Sequence, residues 1–284
     1  MTETTAPMAG VAMTAIGVAV IRARESARPD RLYDDPLASR FVEAARRFYT
    51  ATPDGALRWE RLEALADKFF EGRTVGVRLV DDRMNEAVEA GCRQIVVLGA
   101  GLDTRAFRLA LPANLRFFEI DLPELFAFKE PVLAAANPTP RCIRAVIPAD
   151  LRENWSEQLR ARGFREQEPT YWVEEGVLGY LGGETALRVA ATLTELSAPG
   201  SRFGAGRFRV DRSQEHYAEL GRLVGGEHDH PDRVPGSFEQ DAEQWLAAHG
   251  WRTSFRSWDE LVAPLDRPVT NGDPDIGLIE AVRE

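Results

Sequence analysis

The sequence predicts an α/β protein: a doubly wound, mostly parallel sheet of seven strands, with a helical cap at its amino-terminal end. Three observations predict it. From Arg73 onward, short apolar runs alternate with longer segments of helical spacing, the pattern of β/α crossovers and a parallel sheet. The run Ile95-Val96-Val97-Leu98 is continuous rather than alternating, as a strand buried on both faces must be. It ends in Gly99-Ala100-Gly101, and a second apolar run, Phe117-Phe118-Glu119-Ile120, ends on Asp121 about 20 residues later. A glycine turn after one strand and a carboxylate closing the next is the layout with which Rossmann-like folds grip a ribose.

The elements follow in order. Residues 1–10 read as a tail, and residues 11–72 as helical, broken at Pro29, Pro36 and Pro53. Asp35 before Pro36 is a helix start, a cap followed by a first-turn proline. Asp54-Gly55 marks a turn before a helix around Leu57 to Phe70. No strand pattern occurs here, so residues 1–72 are read as a helical cap or lid, and residues 73–284 as the sheet-bearing domain. Val80, Met84, Ala87 and Val88 share a helical face ahead of the first strand. Strands are expected at about 94–99, 115–121, 142–148, 170–175, 201–208, 251–257 and 276–283. The helix after the second strand should start near Pro123. The helix after the fourth carries Leu187, Ala190, Ala191 and Thr194, and ends at Ser197-Ala198-Pro199-Gly200. Residues 211–240 are charged and contain Gly225-Gly226; they read as an insertion with a mobile centre. Ala242, Trp245, Leu246 and His249 form the next helical face, stopped by Gly250.

Composition excludes several classes. A chain of 284 residues suffices for one large α/β domain with insertions or two small ones, and 44% apolar with 28% charged residues is ordinary for a soluble globular protein. A net charge of −10 opposes binding to a nucleic-acid backbone, which needs a basic face. The two cysteines, Cys92 and Cys142, imply neither a disulfide framework nor a metal site, and they suit a cytoplasmic location. His228 and His230 lie close together but lack a third ligand at motif spacing, so no metal is expected. Val11 to Ile21 is apolar but has no basic segment before it, and Arg22, Arg24 and Glu25 follow directly. It is neither a signal peptide nor long enough to span a bilayer.

The glycine turn narrows the ligand. A dinucleotide site wants a third glycine, so that the helix start can approach a pyrophosphate. Counted from Gly99, that position is Thr104, preceded by Asp103. An acidic side chain there repels a diphosphate but tolerates a cationic, phosphate-free ligand such as S-adenosyl-L-methionine. A nicotinamide or another nucleotide is the alternative, and a purely structural turn the third reading.

Other segments agree with the first of these. Ala23-Arg24-Glu25-Ser26 through Arg28-Pro29-Asp30, Asp34-Asp35-Pro36-Leu37-Ala38, Gly99-Ala100-Gly101-Leu102-Asp103-Thr104-Arg105 and Glu119-Ile120-Asp121-Leu122-Pro123 occur in order. Asp150-Leu151, Glu174-Glu175-Gly176-Val177-Leu178-Gly179-Tyr180-Leu181 and Trp245-Leu246-Ala247-Ala248-His249-Gly250-Trp251 follow. Together they resemble the leucine carboxyl methyltransferase family, in its bacterial branch of S-adenosylmethionine-dependent methyltransferases, from about Ala23 to Trp251. The resemblance implies a class I methyltransferase fold and S-adenosyl-L-methionine as cofactor. Gly99 and Gly101 would let backbone approach the cofactor's amino-acid part and sulfonium. Asp121 would accept from both ribose hydroxyls. The resemblance further assigns Asp150 and the Leu151 backbone to the adenine, and Glu175 to the cofactor's amino-acid end. It calls for an arginine on the cofactor carboxylate. Arg73 is favoured over Arg78, although neither spacing matches well and Gly76 stands where the bacterial branch often has arginine. Asp103 is expected to cap the following helix or to bind Arg105.

Methyl transfer asks the protein to bring an oxygen to about 3 Å, in line with the S–CH3 bond, and to exclude water. A carboxylate acceptor needs no general base, whereas a hydroxyl does. His216, His228 and Tyr180 are available, and none is assigned as catalytic. Acceptor recognition is expected from the N-terminal helices and residues 205–240, where Arg207, Arg209 and Arg212 could meet a carboxylate. The function expected is an O-methyltransferase acting on a carboxylate or hydroxyl of a small molecule of secondary metabolism. The competing readings are a protein or peptide C-terminal carboxyl methyltransferase, a nicotinamide-dependent oxidoreductase, and a binding protein without turnover. Neither nucleic acid nor membrane is expected as a partner.

Overall fold

Helix starts in the amino-terminal third are set by short polar side chains followed by proline. The computed structural model describes residues 12–207, 219–220, 238–267 and 269–284. Helix α1 runs Ala12–Ser26, and α2 runs Pro36–Tyr49. Asp35 caps α2, its side chain accepting from the Ala38 N–H at 3.1 Å. Helix α3 runs Pro53–Glu89. Thr52 Oγ1 accepts from the Gly55 N–H at 3.1 Å, so Asp54-Gly55 forms the first turn of α3 rather than a turn ahead of it.

Helix α3 is 37 residues long and passes without interruption through positions 72 and 73, where the sequence suggested a boundary. Its buried residues explain the continuity. Trp59, Leu62 and Ala66 pack into the cap, Val75 and Leu79 into a small cluster with Trp258, Leu261 and Val262, and Met84 and Ala87 under the sheet. One helix therefore serves both parts. The cap cluster also takes in Leu102, Leu125 and Phe128, beyond the glycine turn. Each such side chain contributes about 1.5–3 kcal/mol of burial, so the cap is held to the sheet by its own core.

The strands are β1 Gln94–Leu98, β2 Arg116–Asp121, β3 Ile143–Pro148, β4 Thr170–Glu174, β5 Arg202–Arg207, β6 Trp251–Ser257 and β7 Gly277–Arg283. They form one sheet in the order β3-β2-β1-β4-β5-β7-β6. The first five pair in parallel, and β7 is antiparallel to both β5 and β6. All seven expected strands are present to within about a residue at each end. Strand β1 is buried throughout, Val96 and Leu98 facing one core and Ile95 and Val97 the other. The remaining helices are α4 Arg105–Arg108, α5 Pro123–Ala136, α6 Trp155–Ala161, α7 Leu178–Leu181, α8 Gly183–Glu195, α9 Phe238–Ala248 and α10 Trp258–Val262. Of the expected insertion at 211–240, nearly all lies outside the described residues.

One apolar run hides a charge. Glu119 of β2 is fully buried, accepting from Lys129 Nζ of α5 at 2.7 Å and from Arg144 Nε and Nη2 of β3 at 2.8 and 2.7 Å. Arg144 also donates to Glu130 at 2.6 Å. Among the described residues no helix is long and apolar enough to cross a membrane.

Candidate cofactor site at the switch point of the sheet

Strand order reverses between β1 and β4, and open α/β sheets form their ligand crevice at such a point, beyond the carboxyl ends of the strands. The bend after β1 occupies it. Gly99 and Gly101 have φ of +64° and +50°, the left-handed region where a side chain is strained. A Cβ on Gly99 would stand 2.7 Å from Val177 Cγ2, and one on Gly101 3.2 Å from Ala15 Cβ. The bare α-carbons thus let the segment after β4 and helix α1 close upon the bend.

Asp121 locks the bend. Its Oδ2 accepts from the Gly101 N–H at 2.6 Å, and its Oδ1 from the Leu122 N–H at 2.7 Å. Burial pushes its carboxyl above the usual range, against the pull of those two donors. Among the described residues Asp121 has no ion-pair partner, so each oxygen keeps acceptor capacity. The Ala149 N–H donates to the Asp121 carbonyl at 2.9 Å, which sets Asp150 beside it. Asp150 accepts from Arg152, through the backbone N–H at 2.8 Å and Nη2 at 2.6 Å, and these bonds hold its carboxyl below the usual range. Leu151 is buried in the main core.

Glu175 follows β4 by one residue, and both its oxygens face the guanidinium of Arg105, Oε2 at 3.3 Å from Nη2. A quarter of its side chain remains exposed. Glu174 does a different job, accepting from the Gly176 N–H at 3.0 Å within the turn after β4. The two arginine candidates separate cleanly. Five residues apart, they project about 140° from each other around α3. Arg78 is held by Asp82 at 2.9 Å and by the Leu32 carbonyl at 3.1 Å. Arg73 is exposed, close enough to Tyr180 for its charge to oppose the burial that raises that phenol's pKa.

Asp103 binds Arg105 as expected, accepting from its backbone N–H and from its Nη1, each at 2.6 Å, while the cap position of α4 falls to Thr104. Burial works to raise its carboxyl, but the charges of Arg105 and Lys129 outweigh it and hold the pKa at about 2. Around this pair lie charged residues that sequence reasoning did not connect. Arg105 Nε donates to Asp81 Oδ1 at 2.6 Å, and Arg108 grips both Asp81 oxygens at 2.6 and 2.7 Å. Arg22 donates to Asp35 Oδ2 at 2.6 Å and to the Leu102 carbonyl at 2.7 Å. Thr104 Oγ1 donates to the same Asp35 oxygen at 2.7 Å. Asp35 was legible as a helix cap, and nothing in the sequence pairs Asp81 with Arg108.

The amino-terminal motif is architectural. Glu25 Oε1 accepts from the Leu32 N–H at 2.6 Å and from Arg267 at 2.9 Å, and Asp30 takes a second Arg267 donor at 2.6 Å. Arg207, an expected substrate contact, pairs with Glu243 at 3.2 Å and lies over the Phe255 ring at 3.7 Å. Arg209, Arg212, His216, His228 and His230 lie outside the described residues.

Residues 15–194 match the leucine carboxyl methyltransferase family. The chain is similar to a protein of Parafrankia sp. (strain EAN1pec), 43% identical over 269 residues that cover 95% of this chain and 86% of that one. It is similar to one of Frankia alni, 42% identical over 97% of this chain and 95% of that one. A Streptomyces coelicolor protein is 37% identical over 96% of each. All three carry the name "Putative S-adenosyl-L-methionine-dependent methyltransferase". The family match spans more than half of the chain, and the chain belongs to the leucine carboxyl methyltransferase family.

Proposed function

We propose that this member of the leucine carboxyl methyltransferase family is an S-adenosylmethionine-dependent methyltransferase that methylates an oxygen of a small molecule. The single observation that carries the reading is the part-buried carboxylate of Asp121, bonded to the Gly101 N–H at the switch point and without an ion-pair partner among the described residues. Drawing a carboxylate partly out of water without an ion-pair partner costs stability. Hydroxyl donors of a ribose would satisfy its remaining lone pairs, which makes the cost intelligible as a binding device. S-Adenosylmethionine, when bound, supplies an electrophilic sulfonium methyl group.

The residues fit such a ligand. Gly99 and Gly101 offer backbone without side chains, and Asp121 takes the ribose. Asp150 and the Leu151 backbone serve the adenine. For Asp150, this requires its carboxylate to serve the adenine while keeping its Arg152 bonds. Glu175, a quarter exposed and anionic, takes the ammonium, and Arg73 takes the carboxylate. The cap helices cover the site as a lid, with Ala15 of α1 already against Gly101. Positioning and exclusion of water are the protein's main tasks, and a carboxylate acceptor needs no general base. Thr104, where a dinucleotide site wants its third glycine, argues against the nicotinamide reading. The two cysteines, both buried and free, accord with a cytoplasmic location.

Differential thermal shift tests the reading. S-Adenosylmethionine and S-adenosylhomocysteine should each stabilise the protein, by about 2.7 kcal/mol at 100 times the dissociation constant, and NADH should not. Asp121→Ala should abolish the shift, and a retained shift would remove the assigned contact. A radiolabelled methyl assay on candidate acids then reads turnover: base-labile label indicates an ester, stable label an ether. Label on a peptide carboxyl terminus would favour the protein-methylating alternative.

A further inference from the structure

Seven side chains from widely separated segments form one continuous ionic chain beside the bend. It begins at Glu175 beyond β4 and passes through Arg105 to Asp103 and Asp81. It continues from Asp81 to Arg108, and from Arg108 across a 3.9 Å ionic contact to Asp35, which Arg22 also holds. Thr104 stitches its far end, donating to Asp35 and accepting from Arg22 Nη1 at 3.1 Å. Glu175 alone has an open face, with 25% of its side chain exposed; no other member exceeds 7%.

Two features separate this chain from ordinary packing. Desolvating three guanidiniums and four carboxylates is costly, and apolar residues of equal volume commonly stabilise a core at least as well. The charges also do not balance. Three cations face four anions, which leaves one negative charge in excess, and the only open group at which a ligand could meet it is Glu175. Arg105 uses two of the acceptor directions of Glu175 and leaves the others free.

We propose that Arg105, Asp81 and Arg108 are positioning residues: they hold the Glu175 carboxylate in the orientation that receives a ligand's ammonium, and they anchor that orientation to the cap through Asp35 and Arg22. None of them touches the ligand. The inference rests on the assignment of Glu175 to the cofactor's amino-acid end. A guanidinium bonded by carboxylates on several sides has a single satisfied orientation, so Glu175 inherits its rigidity. Because Asp35 is also the cap of α2, seating of the cap and grip on the amino-acid end become one event.

Isothermal titration with two ligands tests this. S-Adenosylhomocysteine has the amino-acid end, and 5′-methylthioadenosine shares its adenosine and thioether but lacks that end. Arg108→Lys keeps the charge and gives up the two-pronged grip on Asp81. It should weaken S-adenosylhomocysteine about fivefold, the lower end of ordinary coupling between sites, and leave 5′-methylthioadenosine unchanged. Thr104→Val, a milder change should the first variant fold poorly, should show the same split at about threefold. Equal weakening of both ligands, or no change in either, would overturn the proposal, since a merely structural role does not distinguish them. Wild-type binding of S-adenosylhomocysteine with Glu175→Gln unweakened would overturn it too, while the cofactor reading stands. Wild-type protein that binds neither ligand would remove the cofactor reading itself.

Discussion

Two of the ionic clusters among the described residues are built differently. Glu119, Lys129, Glu130 and Arg144 lie within β2, β3 and α5, two cations against two anions, with partners 10 to 25 positions apart in sequence. The cluster around Arg105 reaches from α1 to the segment after β4, with partners up to 82 positions apart, and carries an excess anion. The first is neutral, with Glu130 exposed at its rim, and its bonds tie an edge strand and a helix to β2. The second is unbalanced, and its most exposed member is Glu175, just beyond β4. What separates them is reach: the first ties neighbouring elements together, and the second joins segments far apart in the chain.

Four experiments break or sharpen that contrast. The largest effect is expected in the neutral cluster. Lys129→Met leaves Glu119 buried with one cation fewer, and urea unfolding should show a loss of about 3–5 kcal/mol. S-Adenosylhomocysteine affinity of the folded fraction should stay the same; a drop in affinity would merge the two clusters into one functional unit. Acid should act on the other cluster. The Asp103 carboxyl lies below its ordinary value, so its contribution is present above about pH 4 and is lost as pH falls toward its folded pKa of about 2. The loss is about 2 kcal/mol, read as stability against pH, and Asp103→Asn should flatten that part of the curve. Glu175→Gln should weaken S-adenosylhomocysteine about tenfold, or about 1.4 kcal/mol, with little change in melting temperature. A melting temperature that falls with unchanged affinity would make Glu175 a structural residue. The smallest effect belongs to the exposed arginine: Arg73→Ala should weaken the same ligand about threefold, as expected of an exposed ion pair. Arg78→Ala, which breaks contacts to Asp82 and Leu32, should leave affinity unchanged.

Much of the architecture could be read along the chain. The seven strands emerged from apolar runs because parallel strands are buried on both faces and tolerate few polar positions. The bend was legible because glycine accepts φ of +64° and +50° with least strain. Asp35 and Pro36 marked the start of α2 by local hydrogen bonding, which needs no knowledge of the rest of the fold. Helix α3 was harder. Pro53 opens it, but the β/α alternation that begins at Arg73 suggested a boundary there, which burial on both sides of that position overrides.

The sequence by itself determined the alternation of strands and helices, the glycine bend, the acidic end of β2 and the family. Each of these is written in neighbouring residues, through side-chain size, backbone freedom and hydrogen bonds of short reach. Only the tertiary structure decided that Arg105 joins Asp81, Asp103 and Glu175, that Arg78 is spent on the loop before α2 while Arg73 stays exposed, and that β7 enters between β5 and β6. A charge does not encode its partner. An arginine can satisfy any carboxylate within reach, and which one comes within reach is settled by the packing of segments far apart in the chain.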